Sequence, residues 1–203
     1  MVNRNYQKEL DMLIDGLKDE EPKSLLLHSC CAPCSSYVLK YLSEYFRITL
    51  LYFNPNISPK EEYEKRVAEQ KRLIQAMPLK NPVTFIEGRY EPAEFYNAVK
   101  GLEKEPEGGE RCFVCYELRL REAAEYAVKL KTDYFTTTLS ISPLKNAAKI
   151  NEIGEKIAEE YGLKHLPSDF KKKEGYKQSI ELSREYGLYR QNFCGCIFSK
   201  QEA

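Results

Sequence analysis

Tryptophan is absent from the 203 residues, histidine occurs twice and methionine three times. No apolar run approaches the roughly eighteen residues that a membrane-spanning helix needs, so no span is expected. Met1-Val2-Asn3-Arg4 leads directly into charged amphipathic sequence, without the apolar core of a signal peptide, and a cytoplasmic protein is expected. Net charge is lacking as well, because 31 Lys and Arg meet 31 Asp and Glu. That balance argues against bulk attraction to nucleic acid and leaves only a local basic patch open. There is no internal repeat, low-complexity tract or composition break. The length suits one domain over residues 1–203, with residues from about 167 onward forming a C-terminal appendage.

What the chain does hold is sulfur. Seven cysteines make an odd set in a reducing compartment, so metal binding or catalysis is favoured over a disulfide framework. They fall in three groups: Cys30-Cys31 with Cys34, Cys112 with Cys115, and Cys194 with Cys196.

The segments between these groups alternate in type. Tyr6–Lys18 carries Leu10, Leu13, Ile14 and Leu17 at helical spacing. Ser24–His28 reads as a buried strand, followed by a helix that Ser35 or Ser36 can cap. Ile48–Phe53, Val83–Ile86 and Tyr134–Thr138 read as further strands, and Leu163–Leu166 as an edge-like one. Helices are expected over Lys60–Met77 (with Ser58 and Pro59 opening it), Pro92–Val99, Cys112–Lys131, Asn146–Tyr161 and Tyr176–Tyr186. This rhythm implies an α/β fold, a three-layer parallel sheet with helices on both faces. Ligands in such folds sit beyond the carboxyl ends of the strands, at a topological switch point. The loops Cys30–Cys34, Asn54–Pro59 and Ser140–Pro143 should open on that edge.

The cysteine groups admit several chemistries. Cys30, Cys31, Cys112 and Cys115 could close a zinc site or a four-iron cluster, and adjacent Cys30-Cys31 is an awkward bite for one tetrahedral ion. Cys112 and Cys115 could alternatively form a metal-free thiol couple. With one glycine between them, Cys194 and Cys196 suit reversible two-electron traffic, or they simply pack. Cys34 is either a further ligand or a buried helix residue. His28 is a core or site histidine, and His165 is structural. Asp169 could serve a second metal, donate a proton or sit in a solvated turn. Lys171, Lys172 and Lys173 lie among Phe170, Tyr176, Tyr189 and Arg190, a mixture of cations and aromatics that can meet RNA phosphates and bases.

Read in order, His28-Ser29-Cys30-Cys31-Ala32-Pro33-Cys34, Tyr52-Phe53-Asn54-Pro55-Asn56-Ile57, Arg111-Cys112-Phe113-Val114-Cys115, Thr137-Thr138-Leu139-Ser140-Ile141-Ser142-Pro143, Asp169-Phe170-Lys171-Lys172 and Tyr189-Arg190-Gln191-Asn192-Phe193-Cys194-Gly195-Cys196 together resemble the cobalamin-independent epoxyqueuosine reductases. The resemblance runs from about residue 24 to the end of the chain. It implies an adenine-nucleotide hydrolase-like, Rossmann-type fold and a [4Fe-4S] cluster with Cys30, Cys31, Cys112 and Cys115 as ligands. It also implies Cys194 and Cys196 as a redox-active pair, and an additional iron for which Cys34, Asp169 and the Cys194/Cys196 pair are candidate ligands. The implied reaction is the last step of queuosine formation, in which the epoxide on the cyclopentane ring of epoxyqueuosine is reduced to an alkene at the wobble position of tRNA. An external electron donor and a monomeric enzyme are expected with it. Two rivals differ in class. A tRNA sulfur-transferase of the ATP-pyrophosphatase type needs a glycine-bearing phosphate loop where Ser29-Cys30-Cys31-Ala32 stands. A zinc-stabilised RNA-binding module would lack iron altogether.

Overall fold

A computed structural model describes residues 4–200, and the reading of Met1–Asn3 lies outside the described residues. The elements run α1 (Tyr6–Leu17), β1 (Lys23–His28), α2 (Ala32–Leu42), β2 (Phe46–Tyr52), α3 (Lys60–Ala76), β3 (Val83–Glu87), α4 (Pro92–Ala98), α5 (Glu110–Leu130), β4 (Tyr134–Thr137), α6 (Ala147–Tyr161) and α7 (Gly175–Glu185). All four strands are parallel, in the order β3-β2-β1-β4.

Side-chain alternation along β1 builds the layers. Leu25 and Leu27 enter one core with Leu39, Leu42 and Leu50, roofed by α1, α2, α3 and α7. Leu26 points the other way, into a core with Leu120, Phe135 and Ile150 beneath α5 and α6. A strand buried on both faces is continuously apolar, which is why Leu25-Leu26-Leu27 reads as a run. The expected three-layer architecture is therefore present.

Three local expectations are corrected. Helix α2 begins at Ala32 rather than after Ser35 or Ser36, with extended Cys31 as its N-cap and Pro33 in its first turn. A proline has no N–H to lose there, and its φ is already helical. The Ser35 and Ser36 hydroxyls instead donate back to the Cys31 and Pro33 carbonyls, each at 2.9 Å. Helix α3 likewise starts at Lys60, capped by Pro59 rather than Ser58. The Leu163–Leu166 strand shrinks to one parallel bridge, His165 to Phe135. Pro167 follows it and offers no N–H to extend a ladder.

His165 is structural, as expected: its ring meets Phe135 edge-on at 5.3 Å. Both its nitrogens are shielded from water and hydrogen-bond to nothing among the described residues. Burial first, then Arg4, pushes its pKa down to about 3. The unfolded chain near pH 5 therefore binds a proton that the folded chain refuses, and stability falls as pH drops below about 6.5. His165→Leu removes that loss. Urea unfolding should show the variant gaining about 2 kcal/mol on wild type between pH 7.5 and pH 5. A pH-independent difference would contradict the assignment.

Candidate metal centre

The chain runs outward from β1 through β2 to β3, then returns to place β4 on the other side of β1. The loops leaving β1 and β4 therefore diverge, and the crevice between them is the switch point. His28 ties the strand ends together there. Its Nδ1 accepts from the Thr137 hydroxyl at 2.8 Å, and its Nε2–H donates to the Phe53 carbonyl at 3.0 Å. Burial, reinforced by Arg119, lowers its pKa to about 3, so it is a neutral core histidine.

Cys30 emerges directly into this crevice. Its N–H donates to the Thr138 hydroxyl oxygen at 3.3 Å, and that hydroxyl in turn lies 3.5 Å from the Cys30 sulfur. The Cys30 and Cys31 sulfurs are 3.9 Å apart, and the ligand atoms of Cys30, Cys31 and Cys34 all fall within 4.8 Å of one another. Cys34 joins because it sits one helical turn past the cap residue Cys31, on the same face. The three thiols share protons. Hydrogen bonds from Cys31 and Cys34, helped by the charge of Lys145, bring Cys30 well below the usual thiol range. Donating to Cys30 pushes Cys31 up to about 12 and raises Cys34 strongly.

The other four sulfurs assemble on the far wall. Cys112 and Cys115 lie in the first turns of α5, where Cys112 packs on the apolar cluster containing Cys30 and Cys31. The Gly108 N–H donates to the Cys112 sulfur at 3.2 Å, from a φ of +89° that favours glycine. Cys115 and Cys196 share a small apolar cluster with Phe95 and Val99. Burial raises the Cys112 thiol, and pushes Cys115 to about 12 and Cys196 to about 11. Gly195 has φ +104°, and a Cβ there would meet Ile57 and Arg66 at 3.0 Å. Around it, Arg66 donates to the Cys194 carbonyl at 3.0 Å, and the Ser58 N–H donates to the Gly195 carbonyl at 2.9 Å. These bonds fasten the C-terminal segment over the crevice. All seven cysteines are free thiols.

A cavity of about 470 Å³ opens here, bordered by Cys30, Cys31, Cys34 and Cys194. A smaller pocket lined by Cys112, Cys115, Cys194 and Cys196 adjoins it, sharing Cys194, Arg119 and Lys145. Arg66, Arg119, Lys145 and Arg190 border the cavity against the carboxylate of Glu107 alone among the described lining residues. Arg66 and Arg119 are only 2% and 1% exposed; Arg66 pairs through Nε with Glu62 at 2.7 Å, and one nitrogen of each arginine (Nη2) has no hydrogen-bond partner among the described residues. Burial opposes the charge on Lys145, but Cys194, Cys30 and Cys34 outweigh it and keep its pKa raised. Sequence reasoning missed all three cations. Arg119 sits in a helix rich in Glu and Arg, where a charge reads as solvated surface.

The remaining expected residues lie elsewhere. Asp169 is not among the cavity-lining residues and pairs with Lys171 at 2.8 Å. Lys173 pairs with Asp11 at 2.6 Å, and Lys177 with Glu174 at 3.3 Å. Much of the expected basic patch is thus locally neutralised.

The donor set suits an anionic thiolate-bound metal group. Soft sulfur ligands surround the cavity, and buried guanidinium nitrogens with no other partner can compensate its negative charge. Against known proteins, the family model described as epoxyqueuosine reductase QueH matches residues 25–202. Proteins named epoxyqueuosine reductase QueH are 43% identical in Streptococcus pyogenes serotype M1 over 96% of this chain and 78% of theirs. The Staphylococcus epidermidis protein of that name is 44% identical over 96% and 84%, and the Thermotoga maritima one 38% identical over 88% and 91%. Since that match takes in every sulfur-bearing segment gathered at the switch point, the chain belongs to the QueH epoxyqueuosine reductase family.

Proposed function

We propose that this chain reduces the epoxide of epoxyqueuosine in tRNA to the alkene of queuosine, using a [4Fe-4S] cluster held by Cys30, Cys31, Cys112 and Cys115. The observation that supports the reading is the convergence of thiols from three remote segments on two adjoining, cation-lined pockets at the switch point, joined through Cys194. An additional iron would draw on Cys34 and the Cys194/Cys196 pair, and not on Asp169, which lies off the cavity and pairs with Lys171. The bound cluster would supply electrons singly from an external donor.

Deoxygenation takes two electrons and two protons, and the oxygen leaves as water. Cys194 and Cys196 can meet that demand together, since closing a dithiol to a disulfide releases two electrons and two protons. The Lys145 ammonium, held charged against the sulfurs, can relay one of those two protons, giving it from Nζ to the departing oxygen and regaining it from the dithiol. Arg66 and Arg119 keep the cavity positive as negative charge develops. A base in a loop reaches such a pocket at lower cost than one extruded from a duplex. The proposal takes the enzyme to be a cytoplasmic monomer; among the described residues no helix is long and apolar enough to cross a membrane.

The test is anaerobic reconstitution with iron and sulfide, followed by incubation with reductant and epoxyqueuosine-containing tRNA and nucleoside mass analysis. A brown protein that yields queuosine supports the proposal. A colourless zinc protein with no product refutes it.

Lys171, Lys172 and Lys173 are proposed to flank the anticodon stem. Because Lys171 and Lys173 are already ion-paired, replacing all three with alanine should flatten the salt dependence of tRNA binding by only about one phosphate contact. Binding titrations across a salt series check this, and an unchanged slope would remove the lysines from the interface.

A further inference from the structure

We propose that Leu144 is a wedge that enters the anticodon loop and fills the stack from which the target base is withdrawn. The inference rests on the tRNA-reductase reading and adds to it the side chain that opens the substrate.

Leu144 is 67% exposed, the most exposed large apolar side chain among the described residues. A lone exposed leucine needs no explanation by itself; its position and its support are what matter. It borders the cavity mouth, between exposed Pro143 and the Lys145 that faces the thiols. The turn beneath it is braced. The Lys145 N–H donates to the Ser142 carbonyl at 3.2 Å, and the Leu144 N–H donates to the Ser142 hydroxyl at 3.3 Å. Pro143 occupies the second position of that turn, where its ring fixes φ. The backbone that carries this exposed side chain is thus fixed, so that inserting it costs little further backbone entropy.

The neighbourhood favours single-stranded nucleic acid as the occupant. Arg190 lies over the Tyr176 ring at 5.4 Å, and both border the same cavity. A cation beside an aromatic face suits one phosphate and one unstacked base. Glu62 pairs Arg66 at 2.7 Å, and the remaining lining cations Arg119, Lys145 and Arg190 against the one lining carboxylate match a polyanion. Leucine is among the side chains that wedge between bases, and it replaces lost stacking with apolar contact.

The test uses an anticodon stem-loop RNA with fluorescent 2-aminopurine at the target position, bound to the iron-loaded enzyme. Wild type should raise the fluorescence as the base leaves the stack. Leu144→Ala should bind the RNA yet lose most of that rise, and turn over epoxyqueuosine tRNA with kcat/KM about tenfold lower. Leu144→Met, of similar volume, should restore both, and neither variant should change iron content or the visible spectrum. Equal fluorescence and kcat/KM in wild type and Leu144→Ala would overturn the wedge while leaving the reductase reading intact. A rise that depends on Leu144, in an enzyme that makes no queuosine, would support the wedge and sink the reductase reading alone.

Discussion

Cys30→Ser should give a folded but colourless protein whose epoxyqueuosine reduction falls by more than about a hundredfold. The magnitude follows from comparison: losing an outer partner of a metal ligand costs about 10- to 100-fold, and losing the ligand must exceed that. Folding should survive because Cys30 is in no disulfide, and a serine hydroxyl can keep the contact with Thr138. Iron content and visible absorbance after anaerobic reconstitution give the readout. Cys112→Ser should behave alike if the cluster bridges the two walls of the crevice. Cys34→Ser is the informative partner, because Cys34 lies within 4.8 Å of Cys30 and Cys31. Cluster absorbance retained in Cys34→Ser, with loss of at most the additional iron, and none in Cys112→Ser supports Cys30, Cys31, Cys112 and Cys115 as the ligand set. The reverse pattern would transfer the site to the Cys30, Cys31 and Cys34 trio.

Arg119→Gln should lower activity about tenfold or more and move the reduction potential of the reconstituted centre negative by on the order of 50 mV. The sign is set by charge: a buried cation favours the more negative, reduced state, so removing it makes electrons harder to add. Arg119 bonds to the Asn54 side-chain oxygen at 3.1 Å and to the Cys115 carbonyl at 3.3 Å, leaving Nη2 unpartnered. Arg119→Lys should recover much of the potential but less of the activity, because an ammonium cannot span both acceptors. A potentiometric titration that places Arg119→Gln with wild type would show the guanidinium to be a structural strut.

Much of the frame was legible beforehand because it rests on short-range rules. Leu25-Leu26-Leu27 announces a strand with two buried faces, and the helix–strand rhythm dictates a parallel sheet. The thiols just beyond β1 could be placed on the functional edge from that rhythm alone, whereas the resemblance was what joined Cys112 and Cys115 to them. The start of α2 was misplaced because serines that could cap a helix end also bond back within its first turn, and no local pattern separates the two uses.

Sequence by itself determined the layered α/β frame, the crevice edge and the kind of atom gathered there, since each follows from neighbouring residues and their periodicity. Only the tertiary structure decided which sulfurs share a pocket, that Arg66, Arg119 and Lys145 face them, and that Asp11 and Asp169 draw off two of the lysines. Charge pairing and burial depend on residues far apart in the chain, and a charged side chain looks the same in sequence whether it meets water or a thiolate.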